Sequence, residues 1–303
     1  MIAPFLAGFA LILPLSCFAQ TTGDPVSATV VGSVALDGPG GLSGLEFSPD
    51  GERFIALSDS AALVRGHVTR DENGAIASLT FEGQPEPLKG HDGSALSDPY
   101  DDAEGLAEAP DGSLYVSFEL HNRVDHYGQP DGAPTALPVP RDFVGLRPND
   151  GLEALALSAD GALFTLPEGP ASGTTDIPVF RFQNGEWDRP FTLPGDGTWR
   201  PVGADFGPDG RLYLLERDFW GLVGFMSRIR RISFDDSGLT GAEVLLTTTA
   251  GQYGNLEGLS IWQDDRGRTH ATMVSDNNFL PVLPTEFVDV LFDAGLDQTA
   301  PQD

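Results

Sequence analysis

The chain has 303 residues, with 45 acidic side chains against 17 basic ones and a formal charge of −28. A field of that sign repels nucleic acid and anionic lipid, which excludes recognition of either through a basic patch. Hydrophobic residues make up 40 %, enough to bury a core and exclude a wholly disordered chain, while 37 glycines and 24 prolines argue for many turns and against long helical repeats.

Residues 1–19 carry no charge, and Ile2 to Phe18 is almost continuously apolar. Cys17-Phe18-Ala19 is a small-x-small site of the kind signal peptidase accepts, so residues 1–19 read as a signal peptide and the protein as periplasmic or secreted. Lipid attachment at Cys17 is the alternative, although Pro14-Leu15-Ser16 matches that pattern poorly. Cys17 is the single cysteine, and cleavage after Ala19 leaves no thiol for disulfides, thiolate catalysis or Cys-ligated metal. No later segment is apolar for long enough to span a bilayer.

From residue 41 onward the chain repeats itself: GLSGLEFSPDGERFIALSD (41–59), DAEGLAEAPDGSLYVSFE (102–119), GLEALALSADGALFTLPE (151–168), VGADFGPDGRLYLLER (202–217) and NLEGLSIWQDDRGRTHATMVSDN (255–277). Gly44, Gly105, Ala154, Ala204 and Gly258 mark the small residue of each copy, at spacings of 61, 49, 50 and 54. Each copy joins two alternating apolar runs, in most through an Asp-Gly turn, which is a β-hairpin signal. Ala77–Phe81, Val179–Phe182 and Arg228–Phe234 supply further strands between copies. Four strands in 40–50 residues is the size of a propeller blade. The expectation is one all-β propeller over 24–295, with 296–303 a disordered tail. Six blades are the first choice, the sixth combining the terminal strands Val26–Leu36 and Glu286–Phe292; five blades are the second. A pair of β-sandwich sheets fits the period poorly.

In an antiparallel hairpin, residues equidistant from the turn face each other. That rule places Glu104 with Glu119, Glu153 with Glu168 and Glu257 with Asp276 at the end remote from the turn. The first copy contributes Ser43 and Asp59 there, and the fourth Gly203 and Glu216. In a propeller these ends converge on one mouth of the central channel. So many carboxylates repel one another unless protonated or neutralised, and a hard divalent cation, calcium above all, is the simple remedy. Glu104, Glu153, Glu257, Asp59 and Asp276 are the candidate metal ligands. Glu119, Glu168 and Glu216 are the candidate acid–base groups, and Arg217 and Asn277 the candidate substrate contacts. Some of these acids have a plainer reading as strand-end caps or as partners of Arg65, Arg123 or Arg217. Arg228-Ile229-Arg230-Arg231 reads as a solvated strand face rather than a phosphate site. Phe219-Trp220-Gly221, close after Arg217, reads as a channel-mouth loop able to stack on a ligand.

Gly41-Leu42-Ser43-Gly44 with Ser58-Asp59, Asp102-Ala103-Glu104-Gly105, Leu152-Glu153-Ala154, Leu215-Glu216-Arg217 and Asn255-Leu256-Glu257-Gly258 with Ser275-Asp276-Asn277-Asn278 together resemble the phytase-like family described as having esterase-like activity. The resemblance spans about residues 40–285 and implies an exported propeller acting on an ester or phosphoester. The chain departs from calcium-dependent β-propeller phytases: it has no run of consecutive aspartates like their amino-terminal signature, the nearest acid pair in a suitable place being Asp101-Asp102, and Lys89 is its one lysine. Two functions follow. One is a metal-dependent hydrolase of a small-molecule ester, phosphate ester or phosphodiester, working as a monomer. The other is a non-catalytic, calcium-stabilised propeller that binds a ligand or protein partner.

Overall fold

The computed structural model describes residues 27–36, 38–147, 149–279 and 284–293; the segments read as a signal peptide (1–19) and as a tail (296–303) lie outside these. Its strands form five four-stranded antiparallel sheets. Strand β1 (Ala28–Leu36) comes first in the chain but belongs to the last sheet. Blade 1 consists of β2 (Leu42–Phe47), β3 (Arg53–Ser58), β4 (Ala62–Arg70) and β5 (Ile76–Pro87). Blade 2 consists of β6 (Ala103–Glu108), β7 (Leu114–Phe118), β8 (Arg123–Tyr127) and the short β9 (Thr135–Ala136). Blade 3 has β10 (Leu152–Leu157), β11 (Leu163–Pro167), β12 (Ile177–Gln183) and β13 (Glu186–Leu193). Blade 4 has β14 (Arg200–Phe206), β15 (Leu212–Phe219), β16 (Phe225–Asp235) and β17 (Gly238–Thr247). Blade 5 has β18 (Asn255–Gln263), β19 (Thr269–Asp276), β20 (Thr285–Phe292) and β1. Helix among the described residues is confined to Arg141–Val144 and a 3-10 turn at Gly221–Val223.

Each repeat copy forms the first two strands of a blade. The turn glycines Gly51, Gly112, Gly161 and Gly210 take φ of +70°, +82°, +84° and +71°, the left-handed conformation an Asp-Gly hairpin needs. The innermost strands touch in the order β2, β6, β10, β14, β18, and β18 returns to β2. Five buried apolar clusters lie one at each blade interface, so the ring closes on five blades rather than six. The terminal strands do combine, but within the blade of the fifth copy. Among the described residues only β20 follows that hairpin, and β1 pairs with β20 from Ala28↔Phe292 to Leu36↔Thr285 as the fourth strand. This pairing covers an open edge and joins the chain ends across the ring. At the same seam Arg70 of blade 1 lies 3.0 Å from Asp289 of blade 5.

The small residues of the repeat let neighbouring inner strands approach. A Cβ at Gly105 would lie 2.5 Å from the Glu153 carbonyl oxygen, and one at Gly44 would lie 2.7 Å from Leu106 Cβ. They make room for the next blade rather than for a ligand. The order of strands in each blade puts the Asp-Gly turns on one face. The β3–β4, β7–β8, β11–β12, β15–β16 and β19–β20 connections lie on the other, together with the segments linking blades. That second face is the channel mouth.

Candidate functional site

All five innermost hairpins carry an irregularity at the same place. The register shifts between Leu42 and Gly44, Ala103 and Leu106, Leu152 and Ala154, Pro201 and Gly203, and Leu256 and Gly258. Such a bulge bends a strand and re-aims the extra side chain. The residues so displaced are Ser43, Glu104, Glu153, Val202 and Glu257. The ladder was expected to run uninterrupted, with Glu104 opposite Glu119; instead Ala103 faces Phe118, and Glu119 lies one residue beyond. By the same register Asp59, Glu119, Glu168, Arg217 and Asp276 are equivalent positions of the five second strands.

This register corrects the fourth copy. Pro201 faces Glu216 and Gly203 faces Leu215, so Val202 and Arg217, not Gly203 and Glu216, occupy the repeat positions. Because neighbours on a strand point to opposite faces, Glu216 turns away from Arg217. It is buried inside blade 4, taking hydrogen bonds from Arg228 Nε (2.6 Å) and from Arg230 Nε and Nη2 (2.7 and 2.6 Å). It therefore holds the fold and is not an acid–base group of the mouth. The arginine cluster is correspondingly no solvated face: Arg228, Arg230 and Arg231 are all buried, with Arg231 paired to Glu243 at 2.7 Å. Asn277 is likewise committed. Its Oδ1 accepts from Gly41 N (3.2 Å) and Phe279 N (3.0 Å), so it fixes loops instead of facing a substrate.

The mouth divides into two halves. On one side Arg217 supplies the positive charge. It donates through Nη2 to Glu168 Oε1 (2.9 Å) and through Nη1 to Asn255 Oδ1 (2.9 Å) and to Glu257, while Asn255 Nδ2 also donates to Glu257 (2.8 Å). With its donors so engaged, Arg217 acts as the internal counter-charge rather than as a free substrate contact. Desolvation opposes its charge, but Glu257, Glu153 and Glu168 outweigh this and raise its pKa. Arg200 sits directly opposite Arg217 in the register and makes no ion pair with any described residue.

On the other side lie Asp59, Asp102, Glu104 and Glu119. Burial first, then neighbouring carboxylates, raises all four pKa values, those of Asp59 and Glu119 to about 6. Gly151 N donates to Glu119 Oε1 at 2.8 Å and partly offsets this. No basic side chain among the described residues is a leading influence on any of the four. Glu104 is about nine-tenths buried, and its carboxylate takes no hydrogen bond from a described residue. Asp102, Glu104 and Glu119 each offer an oxygen within 4.8 Å of the others. Three hard oxygen donors without a protein cation fit calcium or magnesium and suit no soft metal.

The ligand set expected from sequence is thus rearranged. Glu104, Glu153 and Glu257 stand on blades 2, 3 and 5, and do not gather into one three-carboxylate cluster among the described residues. Desolvation raises the buried carboxyls of Glu153 and Glu257, Glu257 to about 7, and the Arg217 guanidinium opposes the rise in both. Asp59 and Asp276, on adjoining blades, repel each other, and Asp276 Oδ1 accepts from Asn278 N at 2.6 Å. Neither joins the cluster. Asp102, which does, stood in the sequence at the head of the second copy and in the Asp101-Asp102 pair, but was not among the expected ligands because it precedes the repeat's alternation. Histidines contribute nothing: His121 and His126 stack on Tyr100 and Tyr115 at 4.3 and 4.5 Å.

The sequence profile of a family described as phytase-like, with the esterase-like activity of phytase, matches residues 38–279. No curated protein sequence matches the chain significantly. Among solved structures, the PQQ-bound aldose sugar dehydrogenase of Streptomyces coelicolor is similar at 16 % identity over 89 % of this chain and 99 % of that one, with a TM-score of 0.52. An exo-β-1,3-galactanase of Clostridium thermocellum is similar at 12 % identity over 86 % of this chain and 62 % of that one, with a TM-score of 0.53. At such identities the likeness speaks for the fold alone.

Proposed function

We infer a function from the premise that the chain belongs to the phytase-like family, described by its esterase-like activity. The reading is a hydrolase of a small-molecule ester, with phosphate esters and phosphodiesters included, acting at the channel mouth with a divalent cation. The observation that carries it is the Asp102–Glu104–Glu119 cluster, buried at Glu104 and Glu119, half-buried at Asp102, and not neutralised by a described basic side chain. These three residues would hold the cation, with calcium the first candidate. When bound, it supplies Lewis-acid polarisation of the ester oxygen and screens the acidic funnel from an anionic substrate.

The remaining work falls to the chain. Glu257, titrating at about 7, is suited to take a proton from the attacking water and return it to the leaving oxygen. Asn255 and Arg217 hold that carboxylate in place through the hydrogen bonds given above. Glu168 braces Arg217 from the other side, a positioning role rather than a proton-transfer one. Arg200 is available to an anionic or carbonyl oxygen of the substrate. Asp59 and Asp276 border the mouth and add to its demand for a cation. Export with removal of residues 1–19 belongs to the same reading.

The test is turnover of p-nitrophenyl acetate and bis(p-nitrophenyl) phosphate by wild type and Glu104→Gln, in calcium and after passage over chelating resin. Calcium-dependent turnover by the wild type, with at least about a hundredfold loss in the variant, supports hydrolysis. Calcium-dependent stability with no turnover of either substrate leaves the calcium-stabilised binding propeller in its place.

A further inference from the structure

The β15–β16 hairpin of blade 4 continues past Arg217 on the mouth face and ends in an apolar tip. Phe219, Trp220 and Val223 are 64 %, 56 % and 59 % exposed, and Leu222 is fully exposed. In a chain of charge −28, four large apolar side chains within five exposed residues form a patch that solubility alone selects against. The tip is firmly built. Phe219 faces Phe225 across the hairpin with ring centroids 4.9 Å apart, Trp220 Nε1 donates to Asp218 at 2.7 Å, and Gly251 N donates to Phe225 O at 2.8 Å.

The tip is also continuous with the acidic site. The Phe225 ring centroid lies 5.9 Å from the Arg217 guanidinium, itself bound to Glu257 and Glu168. A contact path therefore runs from the carboxylates through Arg217 and Phe225 to Phe219. Across the mouth, Phe279 is 55 % exposed and lies beside Asp59: a Cβ on Gly41 would sit 2.5 Å from the Phe279 ring and 2.6 Å from Asp59 Oδ1. An acidic funnel with apolar side chains at its rim suits a ligand with one polar end and one apolar end.

We propose that this rim binds the apolar part of an amphiphilic substrate, an ester or phosphoester whose head enters the mouth while its acyl or aromatic group lies on the Phe219–Val223 tip. The proposal rests on the hydrolase reading for the head group. Charge selects among amphiphiles: a neutral or singly charged head meets one cation, whereas a polyanion brings repulsion into the funnel and leaves the rim unused. An anionic membrane surface is disfavoured by the same field.

Binding, rather than turnover, gives the cleanest test. Methylphosphonate and hexylphosphonate are titrated calorimetrically in excess calcium against wild type and the Phe219→Ser/Leu222→Ser double variant, with Trp220 fluorescence as a second readout. Burial of even two of the five extra methylenes gives the hexyl compound about tenfold tighter binding to the wild type. Its binding shifts Trp220 emission to the blue. In the double variant the preference falls to about threefold or less, while methylphosphonate affinity and melting temperature stay at wild-type values. Equal affinities in the wild type, an undiminished preference in the double variant, or no binding of either phosphonate overturns the proposal. So does sedimentation of the protein with phosphatidylcholine vesicles without a preference for monomeric hexylphosphonate. A chain-length preference without turnover of any ester sinks the hydrolase reading and leaves this one standing. Equal kcat/KM for p-nitrophenyl acetate and octanoate alongside equal phosphonate affinities does the reverse.

Discussion

Freed of divalent cations, the protein is expected to lose stability as pH rises from about 5 to 8. Glu257 illustrates the size of the effect. Burial raises its carboxyl from 4.5 to about 7, Asp276 and Glu168 add repulsion, and Arg217 and Asn255 oppose the rise. Because the folded value exceeds the unfolded one, the native state holds the proton more tightly. The contribution is fully present below the unfolded value of 4.5 and is lost as pH climbs through about 7. At about 1.4 kcal/mol per pH unit between the two values, the loss from this group is on the order of 3 kcal/mol. Glu104 and Glu153 shift in the same direction, as do Asp59 and Glu119 at slightly lower pH. Calcium in a few hundred-fold excess over its dissociation constant restores ~3 kcal/mol and flattens the slope, since the bound carboxylates stay ionised. Urea unfolding at pH 5, 6.5 and 8, with and without calcium, reads both quantities. Cation-free stability that is flat or rises across that range refutes the reasoning.

Four further outcomes follow from the same geometry. Glu104→Gln keeps the size of the side chain but removes a charged donor, so calorimetry is expected to show calcium affinity weakened about tenfold or more while the cation-free protein is stabilised. Arg217→Met leaves Glu168 and Glu257 without their counter-charge and costs about 2–4 kcal/mol at pH 8 by urea unfolding, less at pH 5 where Glu257 is protonated; an equal cost at both pH values argues against the pairing. Glu216→Gln strands Arg228 and Arg230 and costs about 3 kcal/mol, yet calcium affinity is unchanged, which separates this buried residue from the mouth. Gly105→Ala forces a methyl against the Glu153 carbonyl and lowers stability by about 1–3 kcal/mol; a neutral result contradicts the close approach of β6 and β10.

The hairpins, the blade repeat and the positions of most mouth acids were legible in the sequence, because alternation and Asp-Gly turns are local signals. Register beyond the turn was not. The bulge adds a residue to the inner strand without marking the alternation, so Glu104 is one step out of line with Glu119. A one-residue slip moves a side chain to the other face of a strand. In the fourth copy, where no glutamate anchors the alignment, that slip exchanged Glu216 for Arg217. Blade number was ambiguous for another reason: β1 and β20 look the same as strands whether they build a sixth blade or complete the fifth. The buried arginines of β16 read as a solvated face because their partners come from elsewhere, Glu216 and Glu243 from other strands and Asp209 from the β14–β15 turn. The division of the mouth into an arginine-neutralised half and an open half depends on which blade contributes Arg217, and no spacing along the chain reveals it.

The central claim is a cation held by Asp102, Glu104 and Glu119, and anomalous scattering from a crystal of the protein soaked in calcium tests it most directly. The account predicts a difference peak with oxygens of all three carboxylates at about 2.3–2.6 Å. A mouth with no peak at millimolar calcium, or a peak bound only at Glu153, Glu168 and Glu257, contradicts it.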